Sequence, residues 1–444
     1  MNASLDLPVR PLPGVPSVAV LVELAAGPFA GGHVKCWERF AEAAAALDPR
    51  DLGVDLTIYV LGEREWIQPL SPAVRYVALK PVVGTRSVVR LVGGVDATDF
   101  ARYHPRLAQL LPGHDVWHLT HAFAFARTAV RLARDNPRAR LVASVHTDVP
   151  ALTAAYVRQT MRGIPGLASL AVRRDGRAGP VEWAAALARR RRDRLLRACE
   201  RVLVASADER AEIAKVLGAA KVAPLGRGID RERFRPDPGV RAALTAGHAV
   251  PPDRLAVLFV GRVDASKRII VLAEAIRLLR DEGYPVHLVV AGSGSDAGRL
   301  PGLLGDAVTL LGPVPQDRLA RIYAGCDVLA FPSRTETVGN VVAEAMACGL
   351  PVLLPAGART SGWLQEPGKD GVLVADDTPG GWAAELARLV DRPDLRRQLA
   401  VNAAQTASTW HRSWEQVLRE ELLPVWRDTA DRHAGSGDPL LTVE

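Results

Sequence analysis

The chain has 444 residues, of which 48% are hydrophobic and 24% charged, and its net charge is +7 at pH 7. This length and balance suit two globular domains of ordinary size and exclude a disordered or fibrous protein. No apolar run is long enough to span a bilayer, and the first twenty residues lack the apolar core of a signal peptide, so we expect a cytoplasmic protein.

Short apolar runs alternate with longer helical stretches in the first half of the chain. Such alternation predicts a parallel sheet covered by helices, the α/β class. The predicted strands are 17–23, 54–61, 115–120, 141–146 and 201–206. Helices are predicted between them, for example over 36–47 and 122–133.

A stretch rich in Gly, Pro and charged residues, 226–253, separates this series from a second one and predicts a domain connection at its start. The second series has predicted strands at 255–261, 286–292, 307–312, 327–332 and 351–355, and predicted helices at 267–282, 316–324, 339–348 and 382–390. We therefore predict a first domain over 1–223 and a second over 224–408. Two doubly wound, Rossmann-like domains of this kind, facing each other, predict a ligand-binding cleft at the carboxyl ends of their strands.

The last predicted helix covers 410–427, and we expect the segment 409–444 to pack back on the first domain. Its apolar residues recur at helical spacing, which is typical of a buried stripe. They are Trp410, Trp414, Val417, Leu418, Leu422 and Trp426.

The four cysteines are spread along the chain, and none forms a Cys-x-x-Cys pair: Cys36, Cys199, Cys326 and Cys348. This spacing argues against a zinc site and a disulfide framework, and it fits a reducing cytoplasm. We interpret all four as small buried hydrophobic residues.

The positive charge is concentrated in Arg158–Arg201, which contains twelve arginines and four acidic residues. Anionic lipid headgroups attract such arginines, so an anionic membrane surface is one candidate partner, with the protein peripheral on the inner face of the membrane. Four consecutive arginines point all round a helix, however, and a solvated helix face is the alternative. Nucleic acid is not expected, because aromatic residues are not interleaved with the arginines.

The segment 332–355 combines two glutamates with a predicted helix start. Glu336 follows a strand, Val338, Gly339 and Asn340 open the helix, and Glu344 lies more than one turn inside it. Free N–H groups at a helix start attract oxygen-rich ligands, and carboxylates accept hydrogen bonds from sugar and ribose hydroxyls. A solvated loop acid and a dipole-favoured helix acid are the structural alternative.

Two further loops of the second half follow predicted strands. Gly261 is followed by Arg262 and Lys267, and two cations at such a turn suit a diphosphate, or else form a basic surface loop. Gly292 and Gly294 allow close backbone approach to a ligand, although a plain tight turn explains them equally well.

The first half offers weaker candidates at its strand ends. Gly31 and Gly32 lie in a Gly-rich loop where the backbone can approach a phosphate or an acceptor. His121 follows a strand and can point into the cleft, and His146 ends another strand. His118 lies within its strand, and we interpret it as a core residue.

The combined pattern resembles glycosyltransferase family 4, the group 1 transferases, over nearly all of the chain. The resemblance rests on Glu336-x7-Glu344, on Gly261-Arg262 with Lys267, and on GRGIDRERFRP at 226–236. It implies the two-domain GT-B fold, a nucleotide-diphosphate sugar donor and retention of anomeric configuration. It also implies that Glu336 holds the transferred sugar and Glu344 the ribose.

The resemblance further implies that Arg262 and Lys267 hold the diphosphate and that His121 orients sugar and acceptor, the latter a lipid, glycan or small molecule. No cofactor or metal is expected, and the sequence contains no Asp-x-Asp that would clamp one. Arg268, where the family often has Gly, is one departure; Val338, where Phe or Leu is usual, is another. Two other classes stay open, a sugar-nucleotide epimerase on the same fold and a non-catalytic nucleotide-sugar-binding protein.

Overall fold

The computed structural model describes residues 12–25, 32–84, 98–136, 138–146, 150, 153–154, 157, 161, 179–248 and 250–434. The described residues divide into two compact units. The first unit comprises those up to Gly226 together with those from Glu415 onward, and the second is Arg227–Trp414.

Eight strands form one sheet among the described residues of the first unit. They are β1 (Ser17–Ala25), β2 (Asp55–Leu61), β3 (Trp66–Ser71), β4 (Val74–Leu79), β5 (Val116–Leu119), β6 (Arg140–Val145), β7 (Arg201–Val204) and β8 (Val222–Pro224). Their order is β3-β4-β2-β1-β5-β6-β7-β8, and every pair is parallel except β3–β4. The order reverses between β1 and β5, so ligands are expected at the ends of these two strands.

The helices of the first unit connect these parallel strands. They are α1 (Gly32–Ala46), α2 (Pro49–Leu52), α3 (Pro105–Leu110), α4 (Ala124–Ala133), α5 (Pro180–Arg197) and α6 (Ala207–Leu217). Buried side chains of β1, β2, β5 and β6 pack with those of α4 in one apolar core. The predicted strands of this half correspond to β1, β2, β5, β6 and β7, whereas the β3–β4 hairpin and β8 were not predicted.

The second unit contains a six-stranded, fully parallel sheet. Its strands are β9 (Leu255–Val260), β10 (Val286–Ala291), β11 (Val308–Gly312), β12 (Val328–Ala330), β13 (Val352–Pro355) and β14 (Val372–Val374). The order β11-β10-β9-β12-β13-β14 is the doubly wound Rossmann order. Because the order reverses between β9 and β12, the loops after these two strands are neighbours.

The helices of the second unit are α7 (Val240–His248), α8 (Ile269–Asp281), α9 (Leu300–Leu304), α10 (Gln316–Gly325), α11 (Asn340–Ala347), α12 (Pro379–Asp391) and α13 (Pro393–Thr409). Three pairs of them pack together: α8 with α12, α7 with α10, and α11 with α13. The predicted helix 267–282 is shorter than expected, because a 3₁₀ turn at Ala265–Lys267 precedes α8.

The C-terminal segment returns to the first unit as α14 (Trp414–Val417), a π-helical turn at Leu418–Leu422 and α15 (Leu423–Ala434). Trp426 is fully buried and donates its indole N–H to Nδ1 of His118, at 2.9 Å. The inclusion of Trp410 in the buried stripe was wrong: α13 ends at Thr409, and Trp410 is 65% exposed.

Candidate functional site

Lys267 and Glu336, 69 residues apart in sequence, form an ion pair in the second unit. Lys267 ends the 3₁₀ turn after β9, and Glu336 lies in the loop after β12. Ser333 donates its hydroxyl to Oε1 of the same carboxylate, at 3.1 Å. The reversal of strand order between β9 and β12 therefore brings together one predicted cation and one predicted carboxylate.

Arg262 lies in the same loop as Lys267 and is held by polar contacts within that loop. Its Nη1 is 3.4 Å from Oδ2 of Asp264, and its Nη2 donates to the Ser266 hydroxyl, at 3.3 Å. Thr335, next to Glu336, donates its hydroxyl to the Ser266 carbonyl, at 3.2 Å. The loop that carries both cations is thus fastened to the loop that carries the first glutamate.

Glu344 lies inside α11 and is buried against α10. Tyr323 donates its phenol to Oε2 of Glu344, at 2.9 Å, and Gln316 donates to Oε1, at 3.5 Å. Burial, together with the charge of Glu344, raises the pKa of Tyr323 well above its usual range, so the phenol stays a donor. Tyr323 and Gln316 carry no sequence signal, because their role arises only when two helices pack.

The helix start at Val338–Asn340 lies beside Glu336. Gly339 precedes α11 in the left-handed region, with φ of +75°. A Cβ on Gly339 would lie 2.6 Å from Cγ2 of Thr360 and 3.5 Å from Cγ of Glu336. The Val338 carbonyl accepts the indole N–H of Trp363, at 2.8 Å. This bond holds the segment that leads into α11, a helix whose first N–H groups have no acceptor within the helix.

Gly292 and Gly294 permit a close contact between two loops of the protein itself. A Cβ on Gly292 would lie 1.8 Å from the Gly261 carbonyl oxygen, and one on Gly294 would lie 2.3 Å from the Val263 carbonyl oxygen. The loops are also joined by the Val263 N–H, which donates to the Ser293 carbonyl at 2.9 Å. Packing between the loops therefore accounts for both glycines.

Arg268, one of the departures noted above, occupies a backbone conformation that favours glycine, with φ of +58°. Its guanidinium forms an ion pair with Asp377 and donates to the Asp377 carbonyl, at 3.0 Å. Asp377 also accepts from Arg334 and from the Trp382 indole, at 2.9 Å. Although burial opposes it, these hydrogen bonds lower the pKa of Asp377. Arg268 thus fastens the Lys267 loop to the segment before α12.

In the first unit, three histidines lie together where the strand order reverses. The ring of His33, in the first turn of α1, is 4.2 Å from that of His121 and 4.5 Å from that of His146. His33 shares a hydrogen bond with the Thr120 hydroxyl, at 3.0 Å, and His146 shares one with the Ser144 hydroxyl, at 2.6 Å. His33 was not predicted as a site residue, although it directly follows the glycine loop.

Of the two predicted glycines in that loop, Gly32 is the exposed first residue of α1, and a Cβ there would meet nothing within 4 Å. Gly31 lies outside the described residues. The structure therefore places Gly32 beside the three histidines, where it leaves open space next to His33.

Burial determines the protonation state of His121. Burial lowers the pKa of His121 to about 4, so its imidazole is neutral at neutral pH. Its Nε2 atom has no hydrogen-bond partner among the residues that the structure describes. His118 is fully buried, as predicted, and burial lowers its pKa to about 3.

Glu23 holds the turn after His121 in place, and it was not predicted as a site residue. Its fully buried carboxylate accepts backbone N–H groups of Phe123, at 3.1 Å, of Phe125 and of Ala126, at 3.5 Å. Its own backbone is left-handed, with φ of +57°. Burial raises the pKa of Glu23 to about 8, although the backbone N–H groups favour the charged form.

The arginine-rich segment is described at residue 161 and from residue 179 onward. Within α5, Arg192 is buried and lies 3.5 Å from Oε1 of Glu209, on α6. Arg189 is paired with Glu212, at 3.3 Å. Arg190, Arg191, Arg194 and Arg197 are exposed, and Trp183 is 64% exposed. One of the four consecutive arginines thus faces the protein, and others face solvent.

The described residues contain no cluster of three or more His, Cys, Asp or Glu side chains that could hold a metal ion. Within the same residues, no helix is both long enough and apolar enough to cross a membrane. All four cysteines are buried, as predicted, and no disulfide joins them.

Two Rossmann-like units, with polar residues gathered where each strand order reverses, define the GT-B class of glycosyltransferase folds. Solved structures agree. Sucrose-phosphate synthase from Thermosynechococcus elongatus matches 94% of this chain and 100% of its own, with a TM-score of 0.69 and 20% identity. The Anabaena protein HepE in complex with UDP-glucose matches 95% and 99%, with a TM-score of 0.61 and 15% identity.

Family models place the chain more narrowly. The model described as Glycosyltransferase Family 4 matches residues 30–233, and the model described as Glycosyl transferases group 1 matches residues 254–392. The chain belongs to this family of group 1 glycosyltransferases.

Curated relatives support the same family. The D-inositol 3-phosphate glycosyltransferase of Kineococcus radiotolerans is 37% identical over 262 residues, which cover 53% of this chain and 60% of the relative. The D-inositol 3-phosphate glycosyltransferase 2 of Catenulispora acidiphila is 33% identical over 234 residues, which cover 49% and 54%. The chain thus spans little more than half the length of the curated relatives that it matches.

Proposed function

We propose that the chain is a retaining glycosyltransferase that moves a hexose from a UDP- or GDP-sugar to an acceptor hydroxyl. The observation that carries the proposal is the ion pair of Lys267 with Glu336, joined to the Arg262 loop where the strand order of the second unit reverses. The family membership and the UDP-glucose complex of HepE support a nucleotide-sugar donor.

In this proposal the diphosphate of the donor binds to the two cations. The Arg262 guanidinium grips two oxygens, and Lys267 acts as a point charge. Both cations have carboxylate partners in the structure, Asp264 and Glu336. When the diphosphate pairs with Lys267 in place of Glu336, the Glu336 carboxylate becomes available to accept hydrogen bonds from the transferred sugar. Glu344, oriented by Tyr323, accepts from the ribose hydroxyls.

The proposed reaction takes place on one face of the sugar. The bond between the anomeric carbon and the phosphate oxygen breaks, and its electrons stay on the departing diphosphate. Arg262 and Lys267 stabilise that growing negative charge. The acceptor oxygen bonds to the anomeric carbon on the same face, and its proton goes to the departing phosphate oxygen. Retention follows without a carboxylate nucleophile of the glycosidase type.

The first unit takes the acceptor role in this proposal. A neutral His121 exchanges hydrogen bonds with the sugar and the acceptor hydroxyl, because burial keeps its imidazole uncharged. Gly32 leaves open space there, and in the proposal Gly31, Gly32 and His146 bind a lipid, glycan or small-molecule acceptor. We infer no metal requirement, since two protein cations face the diphosphate; turnover that survives EDTA dialysis supports this inference, and turnover lost to EDTA and restored by Mg²⁺ overturns it.

The test compares the turnover of variants at the two cations with that of a matched control variant. Release of nucleotide diphosphate is measured with UDP-, GDP- and ADP-sugars and a panel of hydroxyl acceptors, and NMR reports the anomeric configuration of the product. Arg262→Ala and Lys267→Ala should lower kcat by about 100-fold or more. Arg277→Ala is the matched control, because Arg277 is an exposed residue of α8, paired with Asp281. Full activity of Arg262→Ala would reject the assignment.

The same assay separates the two other classes. With donor alone, an epimerase converts the sugar to an isomer without releasing nucleotide diphosphate. A non-catalytic protein binds nucleotide diphosphates in a thermal-shift screen and transfers nothing to any acceptor. An inverted product would retain the transferase class and overturn the same-face reaction.

An anionic membrane surface is the partner that we propose for the exposed side of α5. Arg190, Arg191 and Arg194 are exposed there together with Trp183, and each arginine near an anionic surface contributes about 1 kcal/mol. Co-sedimentation with phosphatidylserine vesicles should occur at low salt and weaken at high salt. Arg190→Gln with Arg194→Gln should reduce it, whereas Arg189→Gln should not. Absence of binding at low salt would end the proposal.

A further inference from the structure

A pocket of about 230 Å³ opens beside α1 in the first unit. Aliphatic side chains of β1, β2, β3 and α1 complete its wall. Its aromatic and polar lining consists of Trp37, Glu38, Glu42, Trp66, Gln68 and Tyr76. The pocket is smaller than the roughly 300–1,000 Å³ sites of drug-sized ligands, so its size suits a single ring.

The sheet and one helix together build this pocket. Trp66 and Gln68 alternate along β3 and therefore point to the same face, and Gln68 lies opposite Tyr76 of β4. Glu38 and Glu42 are one turn apart on α1, so they share the helix face above that sheet face. β3 is one of the two edge strands of the sheet, and the pocket lies between β3 and α1.

Trp37 forms the buried inner wall of the pocket. It is 1% exposed, and its ring packs against those of His118 and His146, with ring centroids 5.1 and 5.7 Å away. Its indole N–H is closed off from solvent, so Trp37 supplies an apolar surface to the pocket.

The other polar groups suit hydroxyls better than anions. Burial, reinforced by the charges of Glu38 and Glu42, raises the pKa of Tyr76, so its phenol remains a donor. Glu38 lies 2.6 Å from Nζ of Lys35, and Glu42 pairs with Arg39. Carboxylate oxygens can accept from ligand hydroxyls in addition to such pairs. They would repel a phosphate.

We propose that this pocket binds a neutral, polyhydroxylated six-membered ring, a sugar or cyclitol, as a second acceptor-side subsite. The apolar face of the ring packs on Trp66, and its hydroxyls bond to Glu38, Glu42 and Gln68. The inference rests on the proposed transfer to an acceptor. Since a helix rises about 1.5 Å per residue, Trp37 and Glu42 lie about 6 and 14 Å along α1 from His33. The subsite can therefore hold a ring other than the one that reacts.

The test uses the full chain labelled with 5-fluorotryptophan and followed by ¹⁹F NMR. Signals of Trp66, Trp363 and Trp410 are assigned from single Trp→Phe variants. The probes are methyl β-D-glucopyranoside, glucose 6-phosphate and cyclohexanol. The Trp66 signal should shift saturably with the glucoside, whereas that of Trp410, 65% exposed in the second unit, should not. Glucose 6-phosphate and cyclohexanol should each bind about threefold or more weakly than the glucoside.

Two variants sharpen the test without touching the proposed donor site. Glu38→Gln should raise the half-saturating glucoside concentration about threefold or more and bring glucose 6-phosphate within about twofold of the glucoside. Gln68→Ala, at an exposed position of β3, should weaken glucoside binding with little risk to folding. A Trp66 signal that moves no more than that of Trp410 overturns the proposal. So does equal affinity for the glucoside and either of the other two probes.

The same spectra report the donor site separately, because Trp363 bonds to the Val338 carbonyl beside Glu336. A Trp363 signal that responds to UDP, GDP or ADP, with a silent Trp66 signal, rejects the subsite and leaves the proposed function intact. The opposite pattern supports the subsite and counts against the proposed donor site.

Discussion

Glu23→Gln replaces a buried carboxyl group by an amide of nearly the same shape. The Glu23 carboxylate is fully buried and accepts backbone N–H groups at the start of α4. Both carboxylate oxygens accept, so the Gln oxygen can replace one of them while its NH₂ group faces a backbone N–H at the other. The cost of that contact does not depend on pH, so the pH dependence of the difference in stability reports the ionisation of Glu23.

The magnitude follows from the raised pKa. Burial raises the pKa of Glu23 from 4.5 to about 8. Between these values the folded protein holds a proton that the unfolded chain has released, so the free energy of unfolding falls as the pH rises. Each pKa unit corresponds to about 1.4 kcal/mol, and the whole window to about 5 kcal/mol. The contribution is fully present below pH 4.5 and is lost as the pH passes about 8.

The assay is urea unfolding followed by tryptophan fluorescence at several pH values from 5 to 8. The stability of Glu23→Gln relative to the natural chain should rise by about 1.4 kcal/mol per pH unit. Asp135→Asn, at an exposed position of the same unit, should differ from the natural chain by no more than about 0.5 kcal/mol throughout. A Glu23→Gln difference that stays constant or falls with pH would refute the reasoning.

Three further substitutions test the packing of both units by urea midpoints. Gly292→Ala should destabilise the second unit by about 3 kcal/mol or more because its Cβ would overlap the neighbouring loop, whereas Gly298→Ala meets open space and should be mild; similar costs would contradict the packing account. Arg268→Ala should be about 1 kcal/mol less stable than Arg268→Gly, since both lose the Asp377 pair and only Ala retains the left-handed strain; equal stabilities would contradict it. Trp426→Phe should cost about 1–3 kcal/mol by leaving Nδ1 of His118 without its donor, and an unchanged midpoint would show that this bond is dispensable.

The sequence predicts the strands near the middle of each sheet well. Strand β9 reads LAVLFV and is buried throughout, as expected for a parallel strand covered on both faces. The β3–β4 hairpin was missed because β3 contains Pro69 and has no fully buried residue, as is typical of an edge strand. Helix α13 was missed because its apolar face is weak, with Leu399 and Ala403 as its main buried contacts.

Some contacts of the candidate site could likewise be predicted from the sequence, and others could not. The meeting of Lys267 and Glu336 could be predicted, since each follows a strand on one side of the point where the order reverses. Tyr323 and Glu23 could not, because their partners come from distant segments that pack only in the fold. The glycines after β10 were interpreted as sites where the backbone can approach a ligand closely, and in the structure their close neighbour is a loop of the protein itself.

The pairing of Lys267 with Glu336 bears on how a donor would be distinguished from its product. In the proposed reaction the diphosphate competes with Glu336 for Lys267, so binding releases a half-buried carboxylate. A nucleotide diphosphate without a sugar leaves that carboxylate with the Ser333 hydroxyl as its one hydrogen-bond donor among the described residues. A nucleotide sugar supplies hydroxyls that satisfy it. Since unsatisfied buried charge is costly, the same ion pair that joins the two loops would favour the intact donor over the spent one.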